Sequence, residues 1–277
     1  MILVRSNTPR TSLVRRPLQL LVIAATVFPC VARAQFGVDK TELFLSPAVA
    51  GQRTGVLSVR NEGPVRAQAT IGIEDWDRAE SGTNRFYQAG TLAQSCAHAL
   101  HVFPLTLSLG PGETQSVRVE FDSTAAAGLN GHECWSLVLV ESAVPQPGPD
   151  GRTLLYRLRT GVKVYAMPSG LTTDGLVSDV AMHTASRDAA SATDTVEVAF
   201  QNTGSKHVVA NGRVEVRRPD NTTVAVIDLP PAYALPGATM RVRATLPALA
   251  TGRYVVLAVL DYGGTEIAAA QLEHEVR

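Results

Sequence analysis

The stretch Leu154-Leu155-Tyr156-Arg157-Leu158-Arg159-Thr160-Gly161-Val162-Lys163-Val164-Tyr165-Ala166-Met167-Pro168 decides how this sequence reads. Leu154, Tyr156, Leu158, Thr160, Val162 and Val164 alternate with Leu155, Arg157, Arg159, Gly161, Lys163 and Tyr165. A period of two puts these sets on opposite faces of an extended chain. The run predicts a β-strand of about fourteen residues, well beyond the usual five or six. A loop, Pro145-Gln146-Pro147-Gly148-Pro149-Asp150-Gly151, precedes it, and Met167-Pro168-Ser169-Gly170 reads as a hinge after it. A long edge strand with an apolar face invites aggregation unless something covers it. It is also what a protein needs in order to lend a strand to an incomplete sheet. An ordinary last strand, fully paired and buried, is the other reading, and periodicity alone does not separate the two.

The same alternation recurs on both sides of the hinge, interrupted at short intervals by Gly, Pro, Asn and Asp. Val117, Val119 and Phe121 oppose Ser116, Arg118 and Glu120 after a Pro111-Gly112 turn. Ala67, Ala69, Ile71 and Ile73 oppose Gln68, Thr70 and Gly72. Trp135–Val140 is apolar on both faces and predicts a central strand. Beyond the hinge, Val196, Val198 and Phe200 alternate up to Asn202-Thr203-Gly204, and Met240, Val242, Ala244 and Leu246 alternate with Arg241, Arg243 and Thr245. Tyr254–Leu260 is a second fully apolar run, closed by Tyr262-Gly263-Gly264. The expected fold is all-β: two immunoglobulin-like sandwiches of about seven strands in tandem, over 35–167 and 168–277.

Residues 1–34 read as a signal peptide outside this fold. Arg5, Arg10, Arg15 and Arg16 lead an apolar run, Leu18–Val31, and Ala32-Arg33-Ala34 offers a cleavage site before Gln35. The apolar run is short for a membrane span, so no stable membrane insertion is expected. Pro29 before Cys30 argues against lipidation. The whole chain has 25 basic and 25 acidic residues; the segment 1–34 holds five arginines and no acid, which leaves 20 against 25, or −5. That balance argues against a nucleic-acid partner.

Cys96 and Cys134 remain after cleavage, and an oxidising compartment favours a disulfide between them. Two free thiols, or a zinc site drawing on Cys96, His98, His101, His132 and Cys134, are the alternatives. No nucleophile elbow, P-loop, dinucleotide fingerprint or H-E-x-x-H motif occurs, so neither an enzyme nor a cofactor is expected. In Asp75-Trp76-Asp77, the expectation is a tryptophan packed at a strand end with aspartates capping the next turn. Pro219-Asp220-Asn221-Thr222 reads as a hairpin turn.

The order Leu154, Tyr156, Leu158, then Lys163, then Val164-Tyr165-Ala166-Met167-Pro168 resembles the periplasmic pilus chaperones of the PapD-like superfamily. Val102-Phe103-Pro104, the block Leu109–Val119 and Leu57-Ser58-Val59-Arg60-Asn61 are similar to the same family. The resemblance implies a periplasmic assembly chaperone whose partners are secreted pilus-like subunits, with an outer-membrane usher downstream. It implies that Leu154, Tyr156 and Leu158, continued by Thr160 and Val162, fill a groove in the subunit. It also makes Lys163 one member of a cationic pair that anchors the subunit's terminal carboxylate, where charge-assisted bonds replace water. Val38-Asp39-Lys40-Thr41-Glu42-Leu43-Phe44 fits the family's first strand, but Glu42 stands where an arginine is expected and would pair with Lys163. Lys40, Arg157 and Arg159 are the residues placed to restore positive charge. Met167 replaces a basic residue before the hinge proline. The rival readings are a tandem immunoglobulin-like envelope protein that binds or scaffolds without donating a strand, and a hydrolase or metalloenzyme built on the Cys96/His98/His101/His132 cluster.

Overall fold

The computed structural model describes residues 35–148, 150–183 and 194–276, and the expected signal segment lies outside them. Among the described residues, ten strands precede Met167-Pro168, the expected hinge: β1 Phe36–Val38, β2 Glu42–Leu45, β3 Thr54–Asn61, β4 Ala67–Arg78, β5 Asn84–Gln88, β6 Leu100–Phe103, β7 Thr106–Leu109, β8 Thr114–Phe121, β9 Cys134–Pro147 and β10 Thr153–Ala166. Seven follow it: β11 Gly175–His183, β12 Thr195–Asn202, β13 Val208–Arg217, β14 Thr223–Ala234, β15 Thr239–Thr245, β16 Gly252–Asp261 and β17 Ala268–Val276. The expectation of about seven strands holds for the later set and undercounts the earlier one, where short strands flank the turns.

The earlier strands form two sheets, ordered β1-β3-β8-β6 and β2-β10-β9-β4-β5, with β7 also paired to β4. Their facing sides close over Leu57, Val59, Ile71, Val117, Val119 and Phe121, the alternating residues of the sequence. The later strands form sheets β11-β12-β15 and β14-β13-β16-β17 around Val196, Val198, Phe200, Val214, Val256 and Leu260. Each sandwich has its own core, as a two-layer architecture requires.

Both sandwiches use the same device where a strand ends in Asn-x-Gly. Asn61 is fully buried and donates from its amide to Val65 O and Leu109 O, while Gly63 N–H donates to its oxygen. Asn202, equally buried, donates to Lys206 O and Ala234 O and accepts from Gly204 N–H. A buried amide with its donors and acceptor satisfied fixes two loops to one strand end.

A third apolar cluster lies outside either core. Trp76, Trp135, Leu137, Leu139 and Tyr165, on the outer face of the β10-β9-β4 sheet, gather with Leu235 from the second sandwich. This explains why Trp135–Val140 is apolar on both sides: one face fills its own core and the other faces the second sandwich and the cleft beside it. Polar contacts pin the same junction. The fully buried Glu133 accepts at 2.6 Å from His207 N–H and lies 2.6 Å from His207 Nδ1. The His207 ring stacks on Tyr165 at 4.3 Å, and Tyr165 stacks on Phe44 at 5.3 Å. Further out, Arg241 donates from N–H to Glu80 O at 2.8 Å and from Nε to Glu80 Oε2 at 2.7 Å.

Replacing His207 by phenylalanine retains a ring for the stack but removes the Nδ1 partner of a buried carboxylate. Removing one member of such a pair costs about 3 kcal/mol or more. Urea unfolding of His207→Phe is expected to show that loss, and adding Glu133→Gln is expected to recover part of it. Unchanged stability in the single variant would mean that Glu133 does not depend on His207.

Candidate functional site

β9 and β10 pair in one uninterrupted antiparallel register from Thr153↔Pro147 to Ala166↔Cys134. β4 meets β9 only from Leu137 to Glu141, and β2 meets β10 only from Lys163 to Ala166. Beyond those limits Ser142–Pro147 and Thr153–Leu158 have only each other and form a two-stranded arm, and Arg159–Val162 continue from it as the free edge of the sheet. Such a ribbon is marginal by itself. Lys163 N–H donates to Thr41 O at 2.9 Å and Met167 N–H to Leu45 O at 2.8 Å, which puts the odd-numbered backbone groups on the β2 side. By the period of two, Leu155, Arg157, Arg159 and Gly161 direct their N–H and C=O groups to the same side, where no backbone partner occurs among the described residues.

The even-numbered side chains run out of their own core. Val164 and Ala166 are fully buried in the first sandwich, and Leu158 is half-buried. Leu154 and Tyr156 are 45% and 47% exposed. The other two expected donors lie further toward the core end of the strand. Val162 is fully buried in the core of its own sandwich and has no surface to lend. Thr160 is half-buried, with its hydroxyl on Phe36 O at 3.3 Å. The apolar row available to another chain is Leu154, Tyr156 and Leu158.

Where the free edge ends, a cleft of about 70 Å³ opens between the sandwiches, lined by Glu42, Trp76, Arg78, Lys163, His207 and Tyr233 among others. The parallel register sets Lys163 opposite Glu42, and Nζ lies 3.6 Å from Oε1. The ammonium also sits 4.8 Å from the centre of the Trp76 ring. Trp76 Nε1 has no acceptor among the described residues, so the buried residue contributes through its ring faces. Burial pushes Lys163 below the usual lysine range, Arg78 adds to this, and Glu42 opposes it. Burial, helped by the Glu42 and Glu133 carboxylates, pushes the Tyr165 phenol far above its usual range, so Tyr165 stays neutral.

Arg78 is the residue that sequence reading missed. It lies 5.2 Å from the Tyr233 ring and 5.9 Å from the Trp76 ring. It donates to Asn84 Oδ1 at 3.1 Å and to Tyr233 O at 3.4 Å, and no carboxylate pairs with it among the described residues. The only sequence signal was period two, which puts Glu74, Trp76 and Arg78 on one face of β4. The residues expected to restore positive charge are engaged elsewhere. Lys40 donates to Val56 O at 2.7 Å and pairs with Asp39. Arg157 pairs with Glu141, and Arg159 with Glu74 and Glu141. Glu133 is already held by His207. Two cations, Lys163 and Arg78, thus line the cleft together with one carboxylate, Glu42.

Cys96 and Cys134 form a disulfide across a separation of 38 residues, which removes both thiolates from any zinc site. Loop closure of that length stabilises by about 2–4 kcal/mol. The aspartates flanking Trp76 do not cap the turn that follows them. Asp75, fully buried, accepts from Leu92 N–H and the Ser95 hydroxyl, and Asp77 pairs with Arg85 at 2.7 Å. Asn221 takes a left-handed φ of 69° in the β13–β14 hairpin turn, as the sequence suggested.

No family model matches the chain, and no curated protein matches it. Several solved structures are similar to it. The class 5 fimbriae chaperone CfaA is 11% identical over 87% of this chain and 99% of its own, with a TM-score of 0.47. The E. coli chaperone DraB is 13% identical over 87% and 96%, at 0.42. A chain from the Salmonella enterica complex of SafA pilin with the SafB chaperone is 13% identical over 86% and 96%, at 0.41. At these values no residue role passes from them to this chain.

If Lys163 serves binding rather than folding, its removal should not weaken the fold. Lys163→Met is expected to leave the unfolding free energy from urea titration within about 1 kcal/mol of wild type or above it, because a partly desolvated cation next to Arg78 disappears. A larger loss would make the residue a structural one.

Proposed function

We propose that this protein is a periplasmic, non-enzymatic assembly chaperone that holds secreted, pilus-like subunits by strand addition. The observation that carries this reading is the arm: an apolar row that starts in the core of its own sandwich and continues, half-exposed, along an unpaired edge. Completing the burial of Leu154, Tyr156 and Leu158 in a partner's core gains about 1 kcal/mol or more for each side chain. The unpaired edge adds main-chain hydrogen bonds of low sequence specificity. A protein that must hold several related subunits needs this combination.

The cleft defines how the bound strand ends. β2 takes over the edge of β10 at Lys163, so a partner strand on the same edge stops there. If the stop is a chain terminus, its carboxylate meets Lys163 and Arg78, and the partner runs parallel to β10, in line with β2. Two cations beside a single carboxylate in the lining support a carboxylate as the occupant. Glu42 takes the place of the expected arginine on β2, and Arg78 on β4 supplies the second cation. Lys163 binds only while protonated, so its lowered pKa makes carboxylate capture fail as pH rises through a point below the ordinary lysine range.

The test compares wild type with Leu158→Glu and Arg78→Met in pull-downs from periplasmic extract. A charge on the row should be costly inside a partner's core and nearly free in water. Wild type is expected to retain small strand-rich subunits; Leu158→Glu should lose them while remaining folded, and Arg78→Met should weaken retention about tenfold or more. Equal retention by all three would leave an envelope scaffold that binds without strand donation.

A further inference from the structure

The outer face of the β10-β9-β4 sheet has a depression directly beside the free edge. In one cross-strand row Leu139 stands between two glycines, paired with Gly161 on β10 and with Gly72 on β4. In the next row Leu137 stands between Lys163 and Glu74. Without a side chain at Gly161, the leucines form the floor of a hollow whose walls are raised by Arg159, Lys163, Trp76 and Phe86. The cavity measures about 390 Å³. For comparison, about 150 Å³ of apolar space accommodates benzene. Phe86 is 54% exposed at its rim. The charged rim is internally neutralised: Arg159 pairs with Glu74 and Glu141, and Lys163 with Glu42.

We propose that this hollow is a specificity pocket for an apolar side chain from the last few residues of the bound strand, next to the terminal carboxylate. The inference rests on the strand-addition reading and adds a selection rule to it. Gly161 precedes Lys163 by two residues, about 6.6 Å along a strand. A partner strand that ends at Lys163 and follows the free edge must pass Gly161 within its final three residues. A side chain that it turns to the outer face there lies over Leu137 and Leu139. An apolar group gains by covering them. A carboxylate or amine at that position meets a leucine floor and a rim whose charges are already paired, so it loses hydration with nothing in return.

Gly161 is the natural place to close the pocket, because a Cβ there comes within 3.0 Å of Leu137 Cδ1. A Cβ at Gly72 meets nothing within 4 Å, so Gly72→Leu fills space beside Leu139 without strain and serves if Gly161→Val does not fold.

The probes are synthetic strand-forming dodecapeptides of alternating Val and Thr, with a free or amidated C-terminus. Their second and third positions from the end carry Ala, Leu, Phe or Asp in turn. Affinity is read by fluorescence anisotropy. The expected result for wild type is a preference for free over amidated termini and, at one of the two positions, about tenfold tighter binding of Leu or Phe than Ala, with Asp weakest. Gly161→Val and Gly72→Leu should flatten the side-chain preference and leave the carboxylate preference unchanged. A carboxylate preference without a side-chain preference in wild type would overturn the pocket alone. A side-chain preference that survives in both filled variants would also overturn it, by placing the selection elsewhere. Absence of any carboxylate preference would overturn the anchoring scheme and the pocket with it.

Discussion

The contact between Glu133 and His207 sets the frame for everything described above. A carboxylate with no solvent exposure is held from a neighbouring sandwich by one backbone N–H and one imidazole nitrogen. Such a group cannot be left without partners, so the two sandwiches are tied at that point unless a large desolvation cost is met. The His207 ring continues the tie by stacking on Tyr165, which stacks on Phe44. Phe44 and Tyr165 belong to β2 and β10, the strands that carry Glu42 and Lys163. The same few side chains therefore join the sandwiches and orient the strand pair at the mouth of the cleft. Arg241 on Glu80 repeats the tie at a more exposed place, where an ion pair contributes less.

With the junction fixed, the outer face of the first sandwich has two parts. Trp135 and Tyr165 lie toward the second sandwich, together with Leu235 and Met167. Leu137 and Leu139 lie toward the free edge. This division turns one doubly apolar strand into both an interface and the floor of a candidate pocket. Neither use is visible in the strand's own sequence, because hydropathy reports that a face is covered and not by what.

That limit describes how the rest of the molecule was read. The alternation of Leu154–Val164, the central position of Trp135–Val140 and the strand end at Asn202-Thr203-Gly204 were legible because they are local or nearly so. The pairing of Glu42 with Lys163 was also legible, through the order of motifs. The extent of the exposed apolar row was not. Leu158 and Val162 look equivalent in a period-two pattern, and the difference between them is where β2 and β4 stop pairing, a property of other strands. Arg78 was missed for the same reason. It lies more than eighty residues before Lys163, on a strand whose register against β9 no pattern in the sequence specifies, and it follows a Trp-Asp pair that drew attention to turn chemistry. Lys40, by contrast, was placed by proximity in sequence and turned away to Val56 O and Asp39.

Glu42 then has a role that follows from charge alone. Arg78 and Lys163 share one ring, Trp76, and each raises the cost of the other's charge. Without Glu42 the cleft of the free protein would hold two cations and no anion, a partly desolvated arrangement that favours deprotonation of the lysine. With Glu42 at 3.6 Å and 43% exposed, the lysine has a partner that is loosely held and can turn to solvent. Under the proposed function, an incoming carboxylate would displace a half-exposed ion pair and gain two cations, so Glu42 would compete with it only weakly. An arginine in place of Glu42 would put a third cation beside Lys163 and Arg78, and the acid at that position of β2 instead keeps the two cations charged while leaving the cleft accessible.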